Sequence, residues 1–161
     1  MQRINYSTYQ KPSDYMKFEQ GDNRIRVISE GYMGLQHGLR TSRGWVNLGE
    51  CTGKGCENCG KGNVPKRYWK WIVANRKLDQ AKLLDAGIMI GDAICEIAKK
   101  LDAAGEKLTA HDIIVNRVGT ERSTKYAIRQ AQDDQPITRE QLEKWTTEKV
   151  YIQTKYLQEV K

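Results

Sequence analysis

Residues 50–62 read ECTGKGCENCGKG, and no other stretch of the chain limits its fold so tightly. Cys51, Cys56 and Cys59 stand among glycines and charged residues, with almost no apolar side chain between them. Ordering glycine costs more conformational entropy than ordering any other residue, and this segment has no apolar area whose burial would offset that cost. A bound metal ion supplies the missing free energy. Zn²⁺ takes four nitrogen or sulfur ligands in a tetrahedron, and a Cys-x-x-Cys turn such as Cys56–Cys59 presents two thiolates to one ion. Cys51 offers a third ligand across the glycine turn, and His37, upstream, is the expected fourth; the other histidine, His111, lies far along the chain beside Asp112. Three thiolates and a neutral imidazole leave no open coordination position, so the expected Zn²⁺ is structural. Its net charge of about −1 has Lys54 and Lys61 beside it as compensation. Two alternatives are a redox pair at Cys56 and Cys59, which needs a strand–helix junction with an apolar approach, and unbound surface thiols, which are liabilities in any compartment. Cys95 reads as a small packing residue.

Charge points to the partner. The chain of 161 residues carries a net +7, and its basic residues are concentrated. Between Gln36 and Arg76, Arg40, Arg43, Lys54, Lys61, Lys66, Arg67, Lys70 and Arg76 stand against only Glu50 and Glu57, a local excess of +6. A basic patch of that density suits a polyanion, most simply nucleic acid, although a merely solvated basic face is the plainer alternative. No run of 18 apolar residues occurs, and the opening MQRINYSTYQKPSDY has no apolar h-region. The expectation is a protein of a reducing cytoplasm with no membrane partner, where clustered cysteines serve metals or redox chemistry rather than disulfides. No acidic cluster has metal-binding spacing, no Ser/His/Asp arrangement occurs, and no glycine loop follows a strand to cradle a nucleotide. Asp133-Asp134 before Pro136 reads as a turn. A binding protein is expected, not an enzyme.

The length fits one domain, mainly β. NRIRVI at 23–28 alternates, with Ile25 and Val27 on one side and Arg24 and Arg26 on the other, the pattern of a half-buried strand. Tyr32–Leu39 and Gly44–Leu48 read as a strand bent or interrupted by glycines. RYWKWIVAN at 67–75 is the strongest strand, aromatic and β-branched. Residues 82–90 are ambiguous, with GIMI favouring a strand end. DAICEIAKKLD at 92–102 has helical spacing closed by Gly105. Residues 112–118 and 125–130 read as a hairpin around GTERS. Thr138 and Gln141 form a capping box for a C-terminal helix, with Ile137 and Leu142 placed as a hydrophobic staple. The order predicts an N-terminal arm at 1–20 and a small β-barrel at 21–132 carrying an inserted metal loop at 49–64 and a mid-chain helix. A C-terminal helical segment at 133–161 follows.

With these motifs placed, the chain resembles the single-stranded DNA-binding proteins of tailed bacteriophages, which carry a zinc-binding insertion in an OB-fold. The resemblance covers roughly residues 15–131. It rests on YMKFEQGDNRIRVIS, His37, CTGKGCENCGKG, the RYWKWIVANR strand directly after it, and DIIVNRVGTERSTKYAI. It implies an OB-fold-like barrel and sequence-tolerant, non-catalytic binding of single strands in replication, recombination or repair, in a host cell's cytoplasm. Replication or recombination proteins are the implied partners, and His37, Cys51, Cys56 and Cys59 match the zinc ligands. Family members commonly end in an acidic tail, whereas this sequence ends YLQEVK.

A binder of single strands with no sequence preference needs cations for phosphates and flat side chains for bases, each stack contributing roughly 1–3 kcal/mol. Alternation along 67–75 puts Tyr68 and Lys70 on one face and Trp69, Trp71 and Val73 on the other. A lysine is too costly to desolvate inside a barrel, so the Lys70 face is the wet one. Tyr68 is expected to stack and Lys70 to meet phosphate, while Trp69 and Trp71 serve the core; Ile72 on the wet face has no ready explanation. Arg40, Arg43 and Trp45 form a second cluster, with Lys66, Arg67, Arg76, Arg117, Arg122 and Lys125 as further cations. Tyr126 alternates toward the core. The competing reading is a zinc-stabilised regulatory module for duplex DNA or structured RNA, and the C-terminal helix is also open to a protein-docking role through Leu142, Trp145 and Val150.

Overall fold

A computed structural model describes residues 1, 3–7, 9 and 11–157. Residues 2, 8, 10 and 158–161, which hold part of the expected N-terminal arm and the closing QEVK, lie outside the described residues. The element order is β1 (Gly21–Val27), β2 (Tyr32–Thr41), β3 (Gly44–Glu50), α1 (Glu57–Gly60), β4 (Lys66–Asn75), β5 (Gln80–Ala86), α2 (Ile88–Ala103), β6 (Asp112–Val118), β7 (Lys125–Gln130) and α3 (Arg139–Tyr156). The protein is mainly β, with a mid-chain and a C-terminal helix as expected. No helix among the described residues is long and apolar enough to cross a membrane.

All seven strands join one antiparallel sheet in the order β3-β2-β4-β1-β6-β7, with β5 on β4. β4 organises it. Its Trp69–Asn75 stretch pairs with β5, while on its other edge Lys66–Lys70 pairs with β2 and Val73–Asn75 with β1. β1 and β2 are therefore one line of chain along β4, broken at Ser29–Gly31. The Ile28 amide donates to the Ile72 carbonyl at 2.9 Å and the Ile72 amide to Ser29 Oγ at 2.8 Å, so the break leaves no orphan on β4. Beyond it β1 is free to pair with β6, and β2 with β3.

The expected barrel does not close by strand pairing among the described residues. α2 fills the gap, packing against β7 on one side and β4 and β5 on the other. The Tyr126 amide on β7 even donates to Met89 Sδ of α2 at 3.3 Å. The helix begins four residues before the expected start, at Ile88, with Gly87 as N-cap. GIMI reads locally as strand, yet burial of Ile90 and Ile94 beneath the sheet decides for helix: tertiary packing overrides propensity here. Cys95 is exposed on this helix rather than packed.

The central cluster holds Ile25, Val27, Trp69, Trp71, Val73, Leu84, Ile94, Ile113 and Val115, with Tyr126 and Phe18 edge to face beside it. A second cluster lies on the opposite side of β4 and β5, where Ile72, Ala81 and Leu83 meet Ile152 and Leu157 at the end of α3. This explains Ile72: α3 covers that half of the supposed wet face, and the strap at Asp14–Met16 pairs with Leu83 along the edge of β5. The capping box at Thr138 and Gln141 is present, and one helix runs from there through Tyr156.

From Ile25 to Val27, β1 is buried on both faces, not one. Its arginine face meets Asp112, which is fully buried and accepts from Arg24 (2.9 Å), Arg26 (2.8 Å), Arg76 (3.1 Å) and the Gln135 amide (2.8 Å). Burial pushes the Asp112 carboxyl up, but the Gln135 amide and the guanidinium groups of Arg24 and Arg26 outweigh it and hold the group below the usual carboxylate range.

Candidate functional site

The Cys/Gly segment folds into a knuckle between β3 and β4. The Cys51 amide donates to the Leu35 carbonyl at 2.9 Å, fixing the knuckle to β2, and the Cys56 amide donates to Gly53 at 3.0 Å. Gly53 and Gly55 take φ of 84° and 85°, left-handed conformations that let the turn bring Cys56 back toward Cys51. α1 then carries Cys59 round to the same point.

His37, Cys51, Cys56 and Cys59 meet there, with their ligand atoms all within 4.8 Å of one another. His37 Nε2 lies 3.4 Å from Cys56 Sγ and 3.4 Å from Cys59 Sγ, and Cys51 Sγ lies 3.6 Å from Cys59 Sγ. A tetrahedral ion with bonds of about 2.3 Å to sulfur and about 2.0 Å to nitrogen requires edges of about 3.8 Å and 3.5 Å. The cluster therefore fits a metal ion. His37 is fully buried, and its Nδ1 meets Asn63 Oδ1 at 2.7 Å, which leaves Nε2 as the lone pair facing the thiols. That contact, with the neighbouring thiols, raises His37 above the ordinary imidazole value. Backbone amides of Cys59 and Thr52 lower Cys56 to about 5, whereas Cys51, burial and Cys56 push Cys59 up to about 11. The pocket thus welcomes one thiolate and repels the next, a conflict that a divalent cation removes. Lys61 pairs with Glu57 at 3.2 Å on the knuckle's exposed side.

The expected nucleic-acid residues sort by strand alternation and register. Arg40 on β2 faces Trp45 on β3, Gln36 faces Lys66, Gly34 faces Tyr68 and Tyr32 faces Lys70 on β4. Arg40, Trp45, Lys66, Tyr68 and Lys70 consequently share one side of the β3-β2-β4 ribbon. Arg43 is exposed in the turn at its tip. A β-bulge between His37 and Gly38 sets the register. Two glycines on this side accept the aromatic rings. An added Cβ at Gly34 would stand 2.5 Å from Tyr68 Oη, and one at Gly38 would overlap the Trp45 ring, so both rings lie against the backbone of β2. Lys66 Nζ sits 4.7 Å from the Trp45 ring centroid and Lys70 Nζ 5.3 Å from that of Tyr68. Tyr68 donates its hydroxyl to Glu50, and burial together with Glu50 pushes it up to about 12. From Tyr68 the surface leads into a cleft of about 850 Å³ bounded by Tyr32, Lys70, Lys155 and Tyr156.

Two residues fall elsewhere. Arg67 alternates to the reverse side, its guanidinium 6.0 Å from the Trp69 ring, although it too lines the cleft. The Arg76 side chain is 3% exposed, bonded to Asp112 and to the Gln135 and Pro136 carbonyls, and stacked 5.2 Å from the Trp145 ring. It belongs to the packing of α3, not to the open face. Trp69 and Trp71 are core, each 4% exposed. Asn63, Glu50, Tyr32 and the floor glycines went unread in the sequence; the available signal was Gly34 and Gly38, spaced four apart inside a strand, where glycine marks close approach by another group. No protein-family model, no curated protein and no solved structure matches this chain.

Proposed function

We propose that this protein binds single-stranded DNA with little sequence preference and without catalysis, and that its His/Cys cluster holds a structural Zn²⁺. One observation carries the reading: Trp45 and Tyr68 lie against glycine floors on one side of a ribbon, each with a lysine over its ring and Arg40 alongside. Bases of a single strand have exposed faces to lay on such rings, each worth roughly 1–3 kcal/mol, while the ammonium groups swing to the phosphates. Duplex bases are already stacked and have no use for them. Zn²⁺ follows from the donor set, because three sulfurs and one imidazole closing a tetrahedron select it over hard cations. The resemblance to phage single-stranded DNA-binding proteins adds the setting of replication, recombination or repair, with proteins of those processes as neighbours.

The test is competition between a labelled random single strand and its duplex, run across salt. Preference for the single strand is expected. If Arg40, Arg43, Lys66 and Lys70 each neutralise one phosphate, log affinity falls by about 3 per log unit of salt. Preference for duplex would favour a module that reads base edges, and a flat salt response would remove the electrostatic half of the proposal.

A further inference from the structure

Asn63 lies just beyond the knuckle, half-buried, and its planar amide faces two ways. The oxygen sits 2.7 Å from His37 Nδ1, and the nitrogen donates to the Gly38 carbonyl at 2.9 Å. Its backbone amide donates to the Asn58 carbonyl at 3.0 Å, holding it against α1. His37 and Gly38 are the two residues between which the β2–β3 register shifts. They also point to opposite sides of the ribbon: His37 into the metal cluster, Gly38 to the floor beneath Trp45. One side chain therefore touches a ligand on one side and the support of a stacking ring on the other.

We propose that Asn63 is a positioning residue that joins the metal centre to the Trp45 seat. Its oxygen accepts from His37 Nδ1–H, selecting the tautomer whose Nε2 faces the thiols. Its NH₂ group holds the Gly38 carbonyl, pinning the bulge in the register that lays Trp45 on Gly38. Glycine-rich ribbons specify their register weakly, and a one-residue shift would turn every side chain to the other face. Asparagine suits the place because it carries an acceptor and two donors on one rigid plane; aspartate offers only the acceptor. The nucleic-acid arm of this inference rests on the single-strand reading above; the metal and tryptophan arms do not.

The experiment uses the full chain with its metal, as parent, Asn63→Asp and Asn63→Ala. Metal affinity is measured by competition with a chromogenic chelator. The exposure of Trp45 is measured by acrylamide quenching, taken as the difference between each protein and the same protein with Trp45→Phe. Affinity is measured with oligo-dT. Asn63→Ala loses the contact to His37 and is expected to weaken metal binding by about 10–100-fold. Asn63→Asp keeps the acceptor, so it holds metal within about threefold of the parent. It nonetheless opens Trp45 to quencher and weakens oligo-dT binding at least about fivefold, as loss of one stacked base requires. A role in bulk stability alone would move metal affinity and Trp45 together in both variants, and that result overturns the proposal. So does an Asn63→Asp protein whose Trp45 is quenched as in the parent. A parent that binds no oligo-dT defeats the single-strand reading, while the chelator and quenching arms still decide the role of Asn63.

Discussion

Gly38→Ala separates binding from folding. A Cβ at this position would stand 2.5 Å from Trp45 Cη2 and closer still to Cζ2 and Cε2. Carbon atoms in contact rest about 3.5–4.0 Å apart, so the ring must retreat by well over 1 Å. It has somewhere to go, since Trp45 is 41% exposed on an edge strand and can turn out by rotating its side chain. The folded state loses one face of a half-exposed ring, but alanine in a strand recovers roughly 0.5–1 kcal/mol that glycine forfeits in entropy. The melting temperature is therefore expected to move by less than about 4 °C for a chain of this size. Binding, by contrast, loses a flat platform worth roughly 1–3 kcal/mol, which corresponds to an affinity about 5- to 150-fold weaker. Fluorescence anisotropy with labelled oligo-dT reads the second quantity and circular dichroism melting the first. Combining Gly38→Ala with Trp45→Ala should add almost nothing to Trp45→Ala alone, because both remove the same contact. Unchanged affinity in Gly38→Ala refutes the stacking role of Trp45. A collapse of stability that matches the loss of affinity refutes the idea that the ring is free to leave. Gly34→Ala is the informative contrast: Tyr68 is held at its far end by Glu50, so there the expected cost falls on stability as well.

Chelation should release one Zn²⁺ per chain and expose the amides of residues 51–65 to rapid hydrogen exchange, while Ile25, Val73, Ile113 and Val115 stay protected in the fully buried core. A purified protein with no metal and with native thiols open to alkylation would sink the metal assignment. Arg76→Ala should cost about 1.5–3 kcal/mol by removing one of the three guanidinium partners of Asp112, yet leave the salt slope of oligo-dT binding unchanged. A slope reduced by about 0.7 would return Arg76 to the binding face. Asp112 has a lowered pKa when folded, so its contribution is complete above the unfolded value near 3.9 and is lost as pH falls through the folded one. Asp112 thus adds to a fall in the urea midpoint below about pH 4 that Asp14 and Asp22, also held low, share. Asp112→Asn should shrink that acid limb while costing about 3–5 kcal/mol.

The metal cluster was legible because its information is local: three cysteines and a glycine turn have one inexpensive way to become ordered, and His37 was the histidine within reach. β6, β7 and the α3 cap were legible for the same reason, since alternation and a capping box depend on neighbours in sequence. What escaped depends on register. Whether Arg76 faces DNA or Asp112 turns on which strands flank β4, and nothing in RYWKWIVANR states that β1 and β6 will bring a buried carboxylate beside its end. Ile72 looked misplaced for a parallel reason: the surface that covers it arrives from α3, some eighty positions later in the sequence. Asn63 is one polar residue among several in a loop, and only the meeting of His37 and Gly38 across the bulge gives it a task. The barrel expectation holds only loosely, since the sheet does not close among the described residues and strand count says nothing about closure. α2, read from its periodicity, takes the place of the missing strand pairing.

The helix at the C-terminal end has a consequence for anyone trimming this protein. α3 roofs Ile72 and Leu83 with Ile152 and Leu157, and it lays Trp145 over the guanidinium of Arg76. A fragment ending at residue 132 would keep every strand yet bare an oily panel around Ile72 and Leu83, and it would also forfeit the Gln135 amide that helps hold Asp112 ionised among its arginines. Such a fragment should clump at concentrations where the longer chain stays dispersed, and it would lack Lys155 and Tyr156 from the wall of the cleft beside Tyr68.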